Sequence, residues 1–267
     1  MQAFDPLAGV IIALCGLAIG VLSGIFGIGG GTMIVPLFNL VFGLPMIAST
    51  STSLFTIVPT AISGAIQHVR QKTAHLKVGI AFGVTGAAAS VFSALFADRV
   101  PDIVLALLAA AVIIYSSVRM FLAARKAGAG GQGREEQAPP AASLRGRSLA
   151  VVMCIGVVAG IMAGLVGIGG GFIIVPFSIA YLGFSMKDAA GTSLVAIAVI
   201  AVPGIVTHAL LGHIEWFYGI ALVVGTIPGA QIGAWLVPRI PERVLRAAFG
   251  ALLLCTGGLM VLNNIGL

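Results

Sequence analysis

Long stretches of apolar residues without formal charge make up most of the chain. Asp, Glu, Lys and Arg are absent from residues 6–69, 78–97, 103–118, 148–186, 189–214, 216–238 and 247–267. Most of these stretches reach the roughly 20 residues that a helix needs to cross a bilayer. They are apolar on all sides and lack ten-residue units of alternating polarity, so they predict lipid-embedded helices rather than a membrane β-barrel.

The pattern predicts the same series of helices twice. Each series opens with a long glycine-interrupted segment and continues with three uninterrupted helices. The predicted bounds are 7–43, 46–69, 78–97 and 102–123 in the first series, and 148–185, 188–210, 216–237 and 242–263 in the second. The expected fold class is an all-α polytopic membrane protein of two homologous halves with glycine-broken helices.

The two halves are related by a constant shift of 140 residues, which aligns residues 17–122 with 157–262 without a gap. The strongest match pairs residues 24–36 with 164–176, which are identical at nine of thirteen positions. The same shift pairs Thr52 and Ser53 with Thr192 and Ser193, and His68 with His208. Such self-similarity indicates one structural unit used twice.

The repeat divides the chain into three parts. Residues 1–123 form the first transmembrane repeat and residues 148–267 the second. Between them, residues 124–147 are rich in Ala, Gly, Arg, Glu and Pro, with almost nothing to bury, so they predict a flexible cytoplasmic linker.

Composition supports the membrane assignment. Apolar residues are 59% of the chain and charged residues 8%, against about 45–50% and about 25% in soluble domains. The net charge of the chain is +6. The segment 119–147 has six basic and two acidic side chains and so accounts for +4 of it. This clustering indicates membrane topology rather than a nucleic-acid partner.

The basic loops differ between the halves. The loop at 70–77 has three basic residues, whereas its counterpart at 210–217 has none; in the following loop, the second half carries the basic residues, at 239–246. If every basic loop faces the cytoplasm, the repeats are inverted, which requires each glycine-broken segment to be a hairpin without a net crossing. A parallel arrangement of the two repeats is the alternative.

The runs Gly-Ile-Gly-Gly-Gly at 27–31 and 167–171 are the first candidates for a binding site. Glycine disfavours helix, and irregular backbone in a membrane is tolerated only inside protein or beside a water-filled cavity. Each run would precede a half-helix whose N-terminal N–H groups attract anions. The alternative is that these glycines only allow close helix packing, the interpretation we favour for the four-residue spacings from Gly16, Gly156 and Gly225.

Hydroxyl and imidazole groups accompany both breaks. Thr52, Ser53, Thr192 and Ser193 either cap the helix after the break or contact a ligand. His68 and His208 either contact an anion or relay a proton, or else are polar helix ends bonded to backbone. The candidate substrate-binding set is Gly29, Gly30, Gly31, Thr32, Thr52, Ser53, His68, Gly169, Gly170, Gly171, Thr192, Ser193 and His208.

No sequence pattern indicates catalysis. Neither a metal-ligand spacing, nor a nucleophile with its base and acid, nor a nucleotide-binding motif is found. We therefore expect no enzyme activity, no cofactor and no metal. Transport would draw on an ion gradient, the gradient of the substrate or a partner protein.

At the two segments G-x-x-G-I-G-G-G-x-x-I-V-P, residues 24–36 and 164–176, the chain resembles the TauE/SafE family of sulfite and organosulfur anion exporters. The resemblance extends over nearly the whole chain except the linker. It implies a bacterial inner-membrane transporter with seven or eight helices in two repeats. The glycine runs of the family fall on Gly27–Gly31 and Gly167–Gly171, and its Thr-Ser pairs on Thr52-Ser53 and Thr192-Ser193.

These observations together predict a secondary transporter in the plasma membrane. Its substrate would be a small anion, such as sulfite, a sulfonate or another organosulfur anion, bound where the breaks converge and moved by alternating access. The alternatives are a passive anion channel, a permease for carboxylates or other small anions, and a non-transporting scaffold. The sequence leaves the oligomeric state and any coupling ion open.

Overall fold

The computed structural model describes residues 6–97, 102–129, 147–166 and 169–265, and every regular element in these stretches is a helix. The first half contains α1 (Pro6–Phe26), α2 (Gly31–Pro36) with a π-helical extension (Leu37–Val41), α3 (Met46–Arg70), α4 (Leu76–Ala97) and α5 (Asp102–Ala129). The second half contains α6 (Arg147–Val166), α7 (Gly171–Leu182), α8 (Met186–Leu210), α9 (Trp216–Leu236), a 3-10 turn (Val237–Arg239) and α10 (Glu242–Ile265).

The predicted all-α membrane fold is confirmed. Five helices in the described part of the chain are long and apolar enough to cross a bilayer: Leu7–Phe26, Met46–Arg70, Leu76–Ser93, Met186–Leu210 and Trp216–Arg239. They expose large apolar side chains such as Leu14, Ile80 and Ile220 on their outer faces, as expected where lipid rather than water surrounds the protein.

One predicted helix ends later in the structure than we expected. We expected the helix that begins at residue 102 to end at residue 123, but α5 continues to Ala129, where Ala, Arg and Lys residues favour helix. The rest of the predicted linker, residues 130–146, lies outside the described residues.

Parallel helices pack through glycine on both sides of the molecule. A Cβ on Gly16, Gly20 or Gly24 of α1 would collide with the backbone of α9, and one on Gly160 of α6 with the backbone of Gly86 in α4. In each pair, residues further along one helix contact residues further along the other. Helix α1 therefore runs parallel to α9, and α6 runs parallel to α4. The packing role predicted for the four-residue glycine spacings is confirmed.

The long helices α3 and α8 cross the centre of the molecule in opposite directions. Ser51 near the start of α3 lies 2.9 Å from the imidazole of His208 near the end of α8. A Cβ on Gly191, near the start of α8, would lie 2.9 Å from His68, near the end of α3. Corresponding positions of the two halves therefore lie at opposite ends of this pair.

The helices before and after each break run in the same direction. Helix α3 is parallel to α9, because Thr52 contacts Glu215 and Thr60 contacts Thr226. Since α1 is also parallel to α9, α1 and α3 share one direction, and α2 returns between them. By the corresponding contacts, α6 and α8 share the other direction, and α7 returns between them.

Basic side chains collect at one end of the bundle, which we call the basic end. It contains the end of α3 and the loop to α4, the start of α8 and the junction of α9 with α10, where Lys187 donates to Pro238 O and Glu242 accepts from Met186 N. Its described basic residues include Arg70, Lys72, Lys77, Lys187, Arg239, Arg243 and Arg246. The opposite end carries Glu215 and, within the described stretches, no Lys or Arg.

Candidate functional site

Both glycine runs interrupt their helices, as predicted. In the first run, φ is 72° at Gly27, 74° at Gly29 and 86° at Gly30; in the second, it is 85° at Gly169 and 71° at Gly170. These values lie in the left-handed region, which glycine adopts without the steric cost that a Cβ brings. Residues 167 and 168 of the second run lie outside the described residues.

The two interruptions touch each other inside the protein. A Cβ on Gly171 would lie 2.8 Å from both Gly27 O and Ile28 Cα. All of the described break residues are buried. Irregular backbone is thus enclosed by protein, the setting in which a membrane tolerates it.

Two isoleucines cover the junction of the breaks. A Cβ on Gly29 would lie 3.0 Å from Ile197 and 3.2 Å from Ile57, and one on Gly169 would lie 3.5 Å from Ile57 and 3.7 Å from Ile197. Ile57 and Ile197 stand halfway along α3 and α8 and are related by the 140-residue shift. Our sequence prediction missed both, although that shift was the signal that could have found them.

The half-helices α2 and α7 both begin at this junction and run away from it. Their N-caps are Gly30 and Gly170, neither first turn contains an acidic residue, and no side chain caps either end. Two partly positive helix ends therefore meet in a buried space without a carboxylate in either first turn. This arrangement favours an anion.

The threonines of the Thr-Ser pairs cap helices, but not the helices that we expected. Thr52 Oγ1 accepts from Glu215 N at 3.0 Å, at the start of α9, and Thr192 Oγ1 accepts from His75 N at 3.1 Å, just before α4. Both lie within a helix rather than at its N-cap, so their hydroxyls serve the neighbouring helix. These two contacts are equivalent in the two halves.

The serines of the same pairs differ from one another. Ser193 Oγ donates to Gly27 O, the first carbonyl of the first break. Ser53 Oγ is fully buried and without a hydrogen-bond partner, as is Ser23 Oγ, a residue that we did not predict. Thr32, in the first turn of α2, is 4% exposed and its hydroxyl is also without a partner.

His68 lies at the basic end and is bonded to the backbone of α1. Its Nε2 donates to Gly24 O at 2.9 Å, since a carbonyl can only accept, and its Nδ1 lies 2.8 Å from the Thr73 hydroxyl, which donates to it in the neutral tautomer. The ring is fully buried and both nitrogens are engaged. This is the polar helix end bonded to backbone that we gave as the alternative.

His208 lies at the opposite end, away from the breaks. Its Nδ1 is 2.9 Å from Ser51 Oγ and 3.4 Å from Nδ1 of His213. The structure therefore brings together the described glycines of both runs and Ser193 from the predicted set, and it leaves both histidines outside the junction. No group of three potential metal ligands occurs in the stretches that the structure covers.

A surface groove of about 360 Å³ has a different character. It is lined by apolar side chains of α3, α4 and α8, with Arg70 at its edge. Such a surface suits an acyl chain rather than a small anion.

Buried broken helices, apolar outer faces and the five bilayer-length helices of the described stretches define a polytopic membrane transport protein. The family model described as "Sulfite exporter TauE/SafE" matches residues 12–260, and the chain belongs to this family. It is a multi-pass protein of the plasma membrane and a transporter rather than an enzyme.

Relatives over the full length are named as transporters. The chain is 28% identical over 243 residues to "Probable membrane transporter protein YdhB" of Bacillus subtilis, covering 90% of this chain and 94% of the relative. It is 30% identical over 262 residues to "Probable membrane transporter protein YjnA" of the same organism, covering 93% and 98%. "Probable membrane transporter protein MJ0441" of Methanocaldococcus jannaschii is 24% identical over 267 residues, covering 94% and 95%. No solved structure matches the chain.

Proposed function

We propose that this protein is a secondary transporter of a small anion, with sulfite, a sulfonate or another organosulfur anion as the substrate class. The binding site lies where the two glycine breaks touch, between α2 and α7. The observation that carries the proposal is the meeting of two half-helix N-termini without an acidic residue in either first turn. Broken helices whose N-termini face the substrate are a recurrent design in secondary transporters.

The size of the site favours a small substrate. The breaks approach within van der Waals distance, and Ile57 and Ile197 cover them. The unpartnered hydroxyls of Thr32 and Ser53 are available donors for the oxygens of an anion. The oxygen-rich, compact head of a sulfite or sulfonate matches these donors.

Alternating access is the proposed mechanism, with the two repeats in inverted orientation. The antiparallel contact of α3 with α8 supports this, because equivalent helices of inverted repeats run in opposite directions. The shared direction of α1 and α3 supports a hairpin without a net crossing in each opening segment. The basic end faces the cytoplasm in this proposal, since Lys and Arg concentrate on that side.

The test has two stages. Purified protein is first screened by thermal shift against sulfite, sulfate, thiosulfate, simple sulfonates, sulfoacetate and short carboxylates. The anion that stabilises best is then followed into vesicles containing the protein. We expect stabilisation by a sulfur oxyanion and uptake that saturates. Stabilisation by carboxylates alone would refute the substrate class, uptake proportional to concentration would indicate a channel, and no response to any anion would refute the proposed function.

A further inference from the structure

Two pairs of equivalent residues form unequal contacts in the two halves. His68 bonds to Gly24 O in the last turn of α1. Its counterpart His208 bonds to Ser51 and His213, and no described hydrogen bond joins it to Gly164, the counterpart of Gly24 in α6.

The equivalent serines, Ser53 and Ser193, also make different contacts in the two halves. Ser193 of α8 donates to Gly27 O, whereas Ser53 of α3 is buried without a partner. By contrast, the capping contacts of Thr52 and Thr192 are the same in both halves. Among these three pairs, the histidines and the serines differ between the halves, and the threonines do not.

Both formed bonds lie on one side of the junction. His68 is in the last turn of α3, at the basic end, and Gly24 is level with it. Gly27 is the first residue of the break and forms the edge of the junction nearest to Gly24, where Ser193 and close contact with Ala190 hold it against the start of α8. Together these contacts tie α1 to α3 and α8 between the breaks and the basic end.

We propose that the bonds from His68 to Gly24 and from Ser193 to Gly27 are the closed gate on the basic side of the transport pathway. His208 and Ser53 are the equivalent groups for the other side. The inference rests on the proposed transport function. When the pathway opens toward the basic end, the two formed bonds break, and His208 turns from Ser51 toward the end of α6.

This exchange suits a transporter energetically. Each state forms one set of buried hydrogen bonds and loses the other, so the two states stay close in free energy, and a ligand can shift their populations. Removing one bond on one side should raise the population of the state that is open to that side. For a single buried hydrogen bond, the ratio of the two states should change by roughly two- to tenfold.

The test uses a cysteine reporter in the first break. Cys15, Cys154 and Cys255 are replaced by serine, and Ile28→Cys introduces a thiol at a position that is 1% exposed. Labelling by a membrane-impermeant thiosulfonate is measured without substrate in right-side-out and inside-out vesicles. Ser193→Ala is compared with its matched control Ser53→Ala, because the Ser53 hydroxyl has no bond to lose. His68→Ala is compared in the same way with His208→Ala.

We expect Ser193→Ala and His68→Ala to raise labelling from the basic side by roughly two- to tenfold, and their controls not to do so. Equal labelling of Ser193→Ala and Ser53→Ala would overturn the proposal, and this comparison stands even if His68→Ala fails to fold. Labelling needs no substrate, so the gate and the transport function can be tested separately. Equal labelling with intact anion uptake would refute the gate alone. The expected difference in labelling without any anion uptake would refute the transport function.

Discussion

Ile57 of α3 and Ile197 of α8 lie together over the two glycine breaks, at the crossing point of antiparallel helices. Each is fully buried, and each approaches both Gly29 and Gly169. If the junction is the binding site, as we propose, this pair limits the size of the substrate.

Smaller side chains at this pair should broaden substrate selection. Ile57→Val and Ile197→Val each remove one methylene group, which costs about 0.5–1.5 kcal/mol of folding free energy. We expect uptake of a propyl sulfonate relative to sulfite to rise by about tenfold, the scale on which one methylene group discriminates substrates. Competition uptake in vesicles measures the ratio. Ile62→Val, at a half-exposed position of α3, is the control and should leave the ratio unchanged.

The backbone at the first break should tolerate little change. Gly30→Ala places a Cβ on a residue with φ of 86°, about 3.1 Å from Ile19, whereas Gly43→Ala does so at φ of 66° in open space. Both substitutions cost about 1–2 kcal/mol of backbone strain. We expect only Gly30→Ala to reduce uptake strongly, by roughly a hundredfold, since a displacement of about 1 Å has that effect at a binding centre. Equal losses in both variants would place the site elsewhere.

The hydroxyl of Thr32 should matter for the anion rather than for the fold. Thr32→Val preserves shape and removes a buried group without a partner, so the melting temperature without substrate should stay equal or rise. The stabilisation by the best anion should shrink, by about 0.5–1.5 kcal/mol for one lost hydrogen bond. Thr207→Val, whose exposed hydroxyl bonds only to its own helix at Pro203 O, should leave this stabilisation unaltered. A full anion response in Thr32→Val would remove Thr32 from the site.

Close helix packing predicts a third kind of effect. Gly229→Ala would push a Cβ into the backbone of α1 at Leu17, while Gly258→Ala on α10 meets nothing within 4 Å. We expect Gly229→Ala to lower the free energy of unfolding by about 1–3 kcal/mol through overpacking. Gly258→Ala should raise it by up to about 1 kcal/mol through helix propensity. Thermal melting in detergent measures both, and similar melting temperatures would contradict the observed approach of α1 and α9.

The helices and their interruptions were predictable from sequence, because both depend on local composition. The predicted helix at 46–69 is Met46–Arg70 in the structure, and that at 188–210 is Met186–Leu210. Runs of apolar residues specify helix in lipid, and consecutive glycines specify a break, without reference to the rest of the chain. The 140-residue shift also paired Thr52 with Thr192, whose hydroxyls make equivalent contacts.

Tertiary structure alone decided what each polar group contacts. Thr52 serves α9 rather than its own helix, His68 bonds to α1 rather than to the junction, and Ser193 and Ser53 differ although the sequence pairs them. These outcomes depend on which helices become neighbours in space, across 44 residues of chain for His68 and across 163 and 166 residues for Thr52 and Ser193. Glycine at the α1–α9 and α4–α6 contacts allows that approach, and the neighbours so created supply the partners that each buried polar group needs.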